Sequence, residues 1–363
     1  MSRFLTFLLC RAALPAVIAA GLVLAGCSKH STAPVLPGTA YTWLGLTPST
    51  PEGAPADSFG SAILTARATG VNFFYYGITW KDFESGYGQY RSTELRNLLT
   101  TLDALGIRTY VNLHTIETNQ RAMPPDLASQ PFWDLAVAAR LDDAVDTLIQ
   151  VSREHPLVAL ALGNEVDVYF GLHPDEFADF RTLYARELTR IHAARPGLPV
   201  GMVTTSPIGT STAVYGDSLN LLSDVAIYTY YPFVPASDFV HRPPSTLDGD
   251  LVTMRMRAAG KPFALQEVGY SSSPVNSPDS THADSIQADF AKRIRAWQRT
   301  SLRSDCLFAN WFLYTDIPAA VVDSLTRFYG LDTPGFRGYL GGLGLRRADG
   351  TYKPSWNAWR GLP

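Results

Sequence analysis

Apolar and polar positions along this chain alternate between two textures. Short apolar runs with strand character cover 41–47, 71–80, 108–115, 158–166, 200–205, 225–233, 263–270 and 307–315. Runs of this length and composition read as buried strands. Between most of them lie stretches with apolar residues at helical spacing: 58–69, 92–105, 132–153, 174–194, 246–259 and 282–299. The fifth unit is the weakest, with only a short helix expected over 215–222. Gly70, Gly106 and Gly260 stand where a helix would end and a strand begin, as C-cap glycines do. Strand–helix alternation predicts a parallel sheet with crossovers. Eight such units predict an α/β fold of one kind, a single-domain (β/α)8 TIM barrel over 40–363. Longer inserts at 116–130, 234–245, 271–281 and 316–343 all follow strand C-termini, so they are expected to wall a cleft on one face.

Composition narrows the function. With 363 residues and 46% hydrophobic content the chain can bury a sizeable core. The net charge of −3, with both signs interspersed, gives no basic patch of the kind nucleic acid needs. Aromatics at 12% suit a sugar-binding cleft, although most are expected in the core.

The first residues form a targeting segment. Arg3 and Arg11 flank Phe4-Leu-Thr-Phe-Leu-Leu, and an apolar stretch then runs from Ala12 to Leu24 and ends in Leu24-Ala25-Gly26-Cys27. Its length and flanks fit a signal peptide over 1–26 rather than a spanning helix. Leu-Ala-Gly-Cys resembles the bacterial lipobox, which implies that Cys27 is lipidated and becomes the first mature residue. Ser28 in the next position implies, by the same resemblance, an outer-membrane lipoprotein. Residues 27–39, rich in Ser, Thr, Pro and Gly, read as the lipidated cysteine and a tether. That leaves Cys306 alone in the body, so no intrachain disulfide framework is expected. No Cys or His cluster has ligand spacing, and neither a metal nor a cofactor is expected.

The chemistry rests on two glutamates. One apolar run ends in Asn164-Glu165 and another in Gln266-Glu267. Two carboxylates at strand C-termini are the equipment for cutting a glycosidic bond, and strand C-termini are where barrel enzymes place their sites. Glu165 as acid must hold a proton near neutral pH, which burial and a nearby negative Glu267 would favour. Glu267 as nucleophile must stay ionised, which a tyrosine hydroxyl donating to it would favour. Tyr230 is the candidate donor. Tyr228 shares its face of the strand, so the choice between them stays open.

These residues resemble the retaining glycoside hydrolases of clan A over roughly 40–360. The resemblance rests on Asn164-Glu165 closing the fourth strand and Glu267 closing the seventh. It implies an acid/base role for Glu165, a nucleophilic role for Glu267 and contact of Asn164 with a sugar 2-hydroxyl. Supporting matches are His114 ending the third strand, Tyr230 on the sixth, and Trp311 on the eighth as an aromatic platform. Trp80 and Glu84, in the turn after the second strand, also match, as do Lys353-Pro354-Ser355-Trp356 near the C-terminus. Two features depart: no arginine stands near the end of the second strand, and Val166 replaces the proline that often follows Asn-Glu. The expectation is a retaining hydrolase of β-linked poly- or oligosaccharide, working as a monomer on a membrane anchor. A transglycosylase with the same residues, or a silent carbohydrate-binding lipoprotein, are the alternatives.

Overall fold

The computed structural model describes residues 43–55, 57–298 and 305–361. Cys27 and the whole leader lie outside the described residues. Eight parallel strands close into a barrel. They are β1 (Trp43–Leu46), β2 (Phe73–Thr79), β3 (Arg108–His114), β4 (Leu157–Ala161), β5 (Val200–Thr205), β6 (Val225–Tyr230), β7 (Phe263–Val268) and β8 (Cys306–Trp311). β1 pairs with β8 to close the ring, with Leu44 opposite Ala309. The barrel carries α1 (Ser58–Ala68), α2 (Ser92–Ala104), α3 (Leu135–Val151), α4 (Val166–Leu172), α5 (Phe177–Ala194), α6 (Ala213–Asn220), α7 (Leu247–Arg257), α8 (Ala283–Gln298), α9 (Ala319–Tyr329), α10 (Pro334–Gly341) and α11 (Pro354–Arg360).

The (β/α)8 expectation holds, and the departures are local. The fourth strand stops at Ala161 rather than running to 166, because Glu165 takes the left-handed conformation (φ 47°, ψ 42°) and caps α4. The insert 316–343, expected as loop, contains the amphipathic helices α9 and α10. Both pack around their own small core of Leu313, Ile317, Val322, Leu325, Phe336 and Leu340.

Two apolar layers explain which side chains can reach the catalytic face. Side chains on a strand alternate sides. On β6, Val225 and Ile227 point into the barrel with Phe73, Tyr110 and Phe308. Ala226, Tyr228 and Tyr230 point outward, under the helices, with Leu247, Leu251 and Phe290. Stacked rings of Phe73, Phe308 and Tyr110 plug the interior, with centroids 4.6–4.7 Å apart between Phe308 and its two neighbours. The rim above that plug carries the polar side chains.

Candidate active site

The strand C-termini open into a cavity of about 510 Å3 whose lining includes Glu165, Glu267, Asn164 and His114. Each carboxyl reaches it by a backbone irregularity. Glu165 is a non-glycine residue at positive φ, a conformation that costs energy and clusters at functional sites. Thr118, also at positive φ, faces it from the loop after β3 and donates to Oε2 at 2.9 Å. Thr229 at the end of β6 donates to Oε1 at 2.6 Å. Glu267 owes its direction to a bulge: β6 pairs Tyr228 with Leu265 but Thr229 with Glu267, so Gln266 is the extra residue. Bulges re-aim side chains in this way. Tyr231 donates its hydroxyl to Glu267 Oε2 at 2.7 Å.

Beneath the carboxyls runs one hydrogen-bonded network. Gln266 Oε1 accepts from Tyr110 Oη at 2.9 Å and Asn112 Nδ2 at 2.8 Å. Its amide donates to Asn164 Oδ1 at 2.7 Å, and Asn164 Nδ2 donates to Glu117 Oε1 at 3.0 Å. The other Glu117 oxygen meets His114 Nδ1, and His114 Nε2 lies 3.1 Å from the Tyr75 hydroxyl. The amide orientations of Asn164 and Gln266 are thereby fixed, because flipping either would oppose donor to donor.

Burial dominates the electrostatics. It pushes the Glu165 carboxyl up to about 7, against the opposing effect of the two threonine hydroxyls, with Asp167 and Glu117 adding to the rise. It pushes Glu267 up to about 8, with the charge of Glu165 adding and the Tyr231 hydrogen bond opposing. Both carboxyls are thus driven toward their protonated forms, and so close a pair titrates as a unit. Their partners differ in chemistry. A phenol is a strong donor and favours the anion at Glu267. A threonine hydroxyl can also turn and accept, so a protonated Glu165 keeps a partner for its own O–H, although each threonine donation it now receives favours the anion.

Four of the expected contacts are corrected. The Tyr230 hydroxyl donates to Asp250 at 2.6 Å, and the Tyr228 hydroxyl accepts from Asn220 at 3.2 Å. Both point away from Glu267, and Tyr231 holds the contact expected of them. Trp311 is fully buried, its indole donating to the Leu343 carbonyl at 3.3 Å and packing on Trp359. Phe312, one residue on, lines the cavity instead. Trp80 is a core residue whose indole donates to Glu84 Oε2 at 3.1 Å, and Arg140 pairs with the same carboxylate at 2.8 Å. One cause covers Tyr228, Tyr230 and Trp311: each is one residue out of phase, so its side chain faces the helix layer. Asp167 and Asp316, both close to strand ends, are buried rather than solvated. The first accepts from Thr205 and Thr212, and the second pairs with Lys353 at 2.7 Å.

Three residues of the floor escaped the sequence reading: Glu117, Gln266 and Tyr231. Tyr231 was legible as the next tyrosine in Tyr228-Thr-Tyr-Tyr231. Glu117 had a weak signal, an acid three residues after the strand-ending His114. Among the described residues no group of three His, Cys, Asp or Glu is arranged to hold a metal ion. No helix among them is long and apolar enough to cross a membrane.

No protein-family model matches the chain, and no curated protein matches it in sequence. Solved structures match in fold. A GH5_18 protein from Streptomyces cattleya, a glutamate-to-alanine variant in complex with Manβ1-4GlcNAc, gives a TM-score of 0.65 at 17% identity over 88% of this chain and 79% of that one. A glutamate-to-alanine variant of a GH5_18 protein from Bifidobacterium longum subsp. longum, with the same disaccharide, gives 0.64 at 15% over 88% and 77%. An exo-β-1,4-mannosidase from Opitutaceae bacterium strain TAV5 gives 0.62 at 18% over 88% and 59%. At these identities the likeness establishes the barrel and nothing finer.

Proposed function

We propose that the chain is a retaining hydrolase of β-linked glycosides, with Glu165 as acid/base and Glu267 as nucleophile. The observation that carries this reading is two buried carboxyls in one cavity at the strand C-termini, held by partners of different chemistry. In the first step Glu267 bonds to the anomeric carbon while the proton of Glu165 passes to the leaving oxygen. The glycosyl ester removes the negative charge of Glu267, the Glu165 pKa falls, and Glu165 takes a proton from the attacking water. Asn164, locked between Glu117 and Gln266, is placed to meet the sugar, and His114 and Phe312 border the same space. The matched folds that hold Manβ1-4GlcNAc agree with a β-linked substrate.

The loops favour action at a chain end. Asn119 Nδ2, after β3, donates to the Tyr329 carbonyl of α9 at 2.9 Å. Asp238, after β6, accepts from the Gly335 amide of α10 at 2.8 Å. The 316–343 insert therefore straps the mouth from the β3 side to the β6 side. A cavity bounded this way suits a terminal sugar better than the middle of a polymer. Hydrolysis of a panel of β-glycosides, with proton NMR of the first anomer released, tests the reading. The β-anomer is expected first; the α-anomer would mean inversion, and no cleavage would leave a binding protein.

The leader belongs to the same proposal. Cys27 lipidated in the cell envelope, with a short tether to the barrel, would make release dependent on detergent rather than salt. Mass spectrometry of the mature N-terminus decides it, since an unmodified terminus would remove the anchor.

A further inference from the structure

The cavity has a polar floor and an apolar wall, and the wall stands on the side of Glu165. Glu165 begins α4, and Val168 follows one turn later. Ile208 lies beyond the adjacent strand β5, and Val234 and Pro235 lie beyond β6. All four line the cavity. The loops touch there: Gly209, at φ 71°, packs so closely on Pro235 that a Cβ would come within 2.6 Å of Cγ. Ile317 and Leu325 of the insert close the space from the other side.

The polar side chains of that wall are already engaged. Thr205 and Thr212 donate to Asp167, at 2.5 and 2.7 Å. Thr210 and Thr212 hydroxyls lie 2.7 Å apart, and Ser237 donates to the Val234 carbonyl at 2.7 Å. Arg242 is held by the Phe233 carbonyl and Asp250. Among the described residues of this wall, Ser206 Oγ alone is buried without a partner. A second sugar would press several hydroxyls against Val, Ile and Pro, each losing its water at a cost. An alkyl or aryl group would lose none and would bury apolar area.

Resting on the hydrolase reading, we propose that the leaving group of the natural substrate is an apolar alcohol: the protein cleaves amphiphilic β-glycosides, a sugar head joined to an alkyl or aryl group. In the cleavage, the C1–O bond breaks, the proton of Glu165 ends on the departing alcohol, and Glu267 holds C1 until water releases the sugar.

Methyl, butyl, hexyl and octyl β-glucosides and β-mannosides, below their micelle concentrations, provide the test. Their binding to the Glu267→Gln variant is followed by calorimetry, and their cleavage by the wild-type chain through kcat/KM. Affinity and kcat/KM should each rise roughly threefold to fourfold per methylene until the wall is filled. Octyl glycosides should exceed cellobiose and mannobiose. Val168→Thr, near-isosteric, and Ile208→Thr, one methyl group smaller, both checked for folding by circular dichroism, should flatten the slope. Cleavage with no dependence on chain length and a preference for the disaccharides overturns the apolar site and leaves the hydrolase standing. A length-dependent affinity without cleavage of any glycoside supports the apolar site and sinks the hydrolase. No binding across the panel overturns the proposal.

Discussion

On the floor of the cavity, His114 and Gln266 on barrel strands and Glu117 and Asn164 just beyond β3 and β4 form one chain of buried hydrogen bonds. On the roof, the 316–343 insert meets the β3 and β6 loops through polar contacts of Asn119 and Asp238 and through ring contacts of Phe239 with Phe336 and Tyr339. The floor has one geometry available, because any misplaced amide leaves an unpaired buried group. The roof is held largely by apolar and ring contacts, which are less directional than the hydrogen bonds of the floor. Chemistry that needs fixed atoms therefore belongs to the floor, and the less directional contacts of the wall and roof suit recognition of the leaving group.

This contrast can be broken at several points. The largest effect should come from Glu165→Gln, which removes the acid and should lower kcat by roughly 10^2–10^4-fold. The fold should survive and even gain. A carboxyl whose pKa rises on folding binds more proton folded than unfolded, so stability falls as pH climbs from the ordinary carboxylate value to about 7 or 8. Glu165→Gln and Glu267→Gln should each flatten that fall and stand about 2–4 kcal/mol above wild type at pH 8, with no difference at pH 4. Chemical denaturation at both pH values measures it; equal stability at pH 8 would mean that the carboxyls are not held against burial.

Gln266→Leu should come next. It leaves the Tyr110 hydroxyl, the Asn112 amide and Asn164 Oδ1 without their shared partner, a loss of about 2–4 kcal/mol. A loss below about 1 kcal/mol would show the network to be dispensable.

Tyr231→Phe removes the donor to Glu267 and should lower kcat about 10–100-fold, in line with one charge-assisted hydrogen bond. It should also move the acid limb of the pH–rate profile upward. Tyr230→Phe should leave both unchanged. Reversed outcomes would restore the original choice of tyrosine.

The smallest effect belongs to the roof. A Cβ on Gly335 would meet the Asp238 carbonyl at 1.9 Å, so Gly335→Ala should lift the β6 loop from α10. KM should rise several-fold and stability should fall by about 1–3 kcal/mol, as for overpacking a buried contact. A large drop in kcat instead would tie the roof to the chemistry.

The barrel was legible because each strand and helix repeats its own period, and the glutamate pair because it ends two of those strands. What failed was parity. Tyr228, Tyr230 and Trp311 lie on strands buried on both faces, where either face is apolar and period two has no polar phase to mark it. Tyr231 and Phe312 lie at the rim, one residue later. The bulge at Gln266 and the left-handed Glu165 are invisible for a different reason: both are set by pairing with neighbouring strands and loops far away in sequence. Glu117 was hidden in what read as an insert, and α9 and α10 were amphipathic toward each other rather than toward the barrel.

Chemical rescue reads the two glutamates separately. In Glu165→Ala, with an activated aryl β-glycoside, azide should restore turnover and yield the β-glycosyl azide, because Glu267 still forms the ester that azide then attacks. In Glu267→Ala the same anion should take the place of the nucleophile and yield the α-glycosyl azide. NMR of the anomeric proton distinguishes the products. The same azide anomer from both variants, or rescue of neither, would contradict the assignment of acid/base to Glu165 and nucleophile to Glu267.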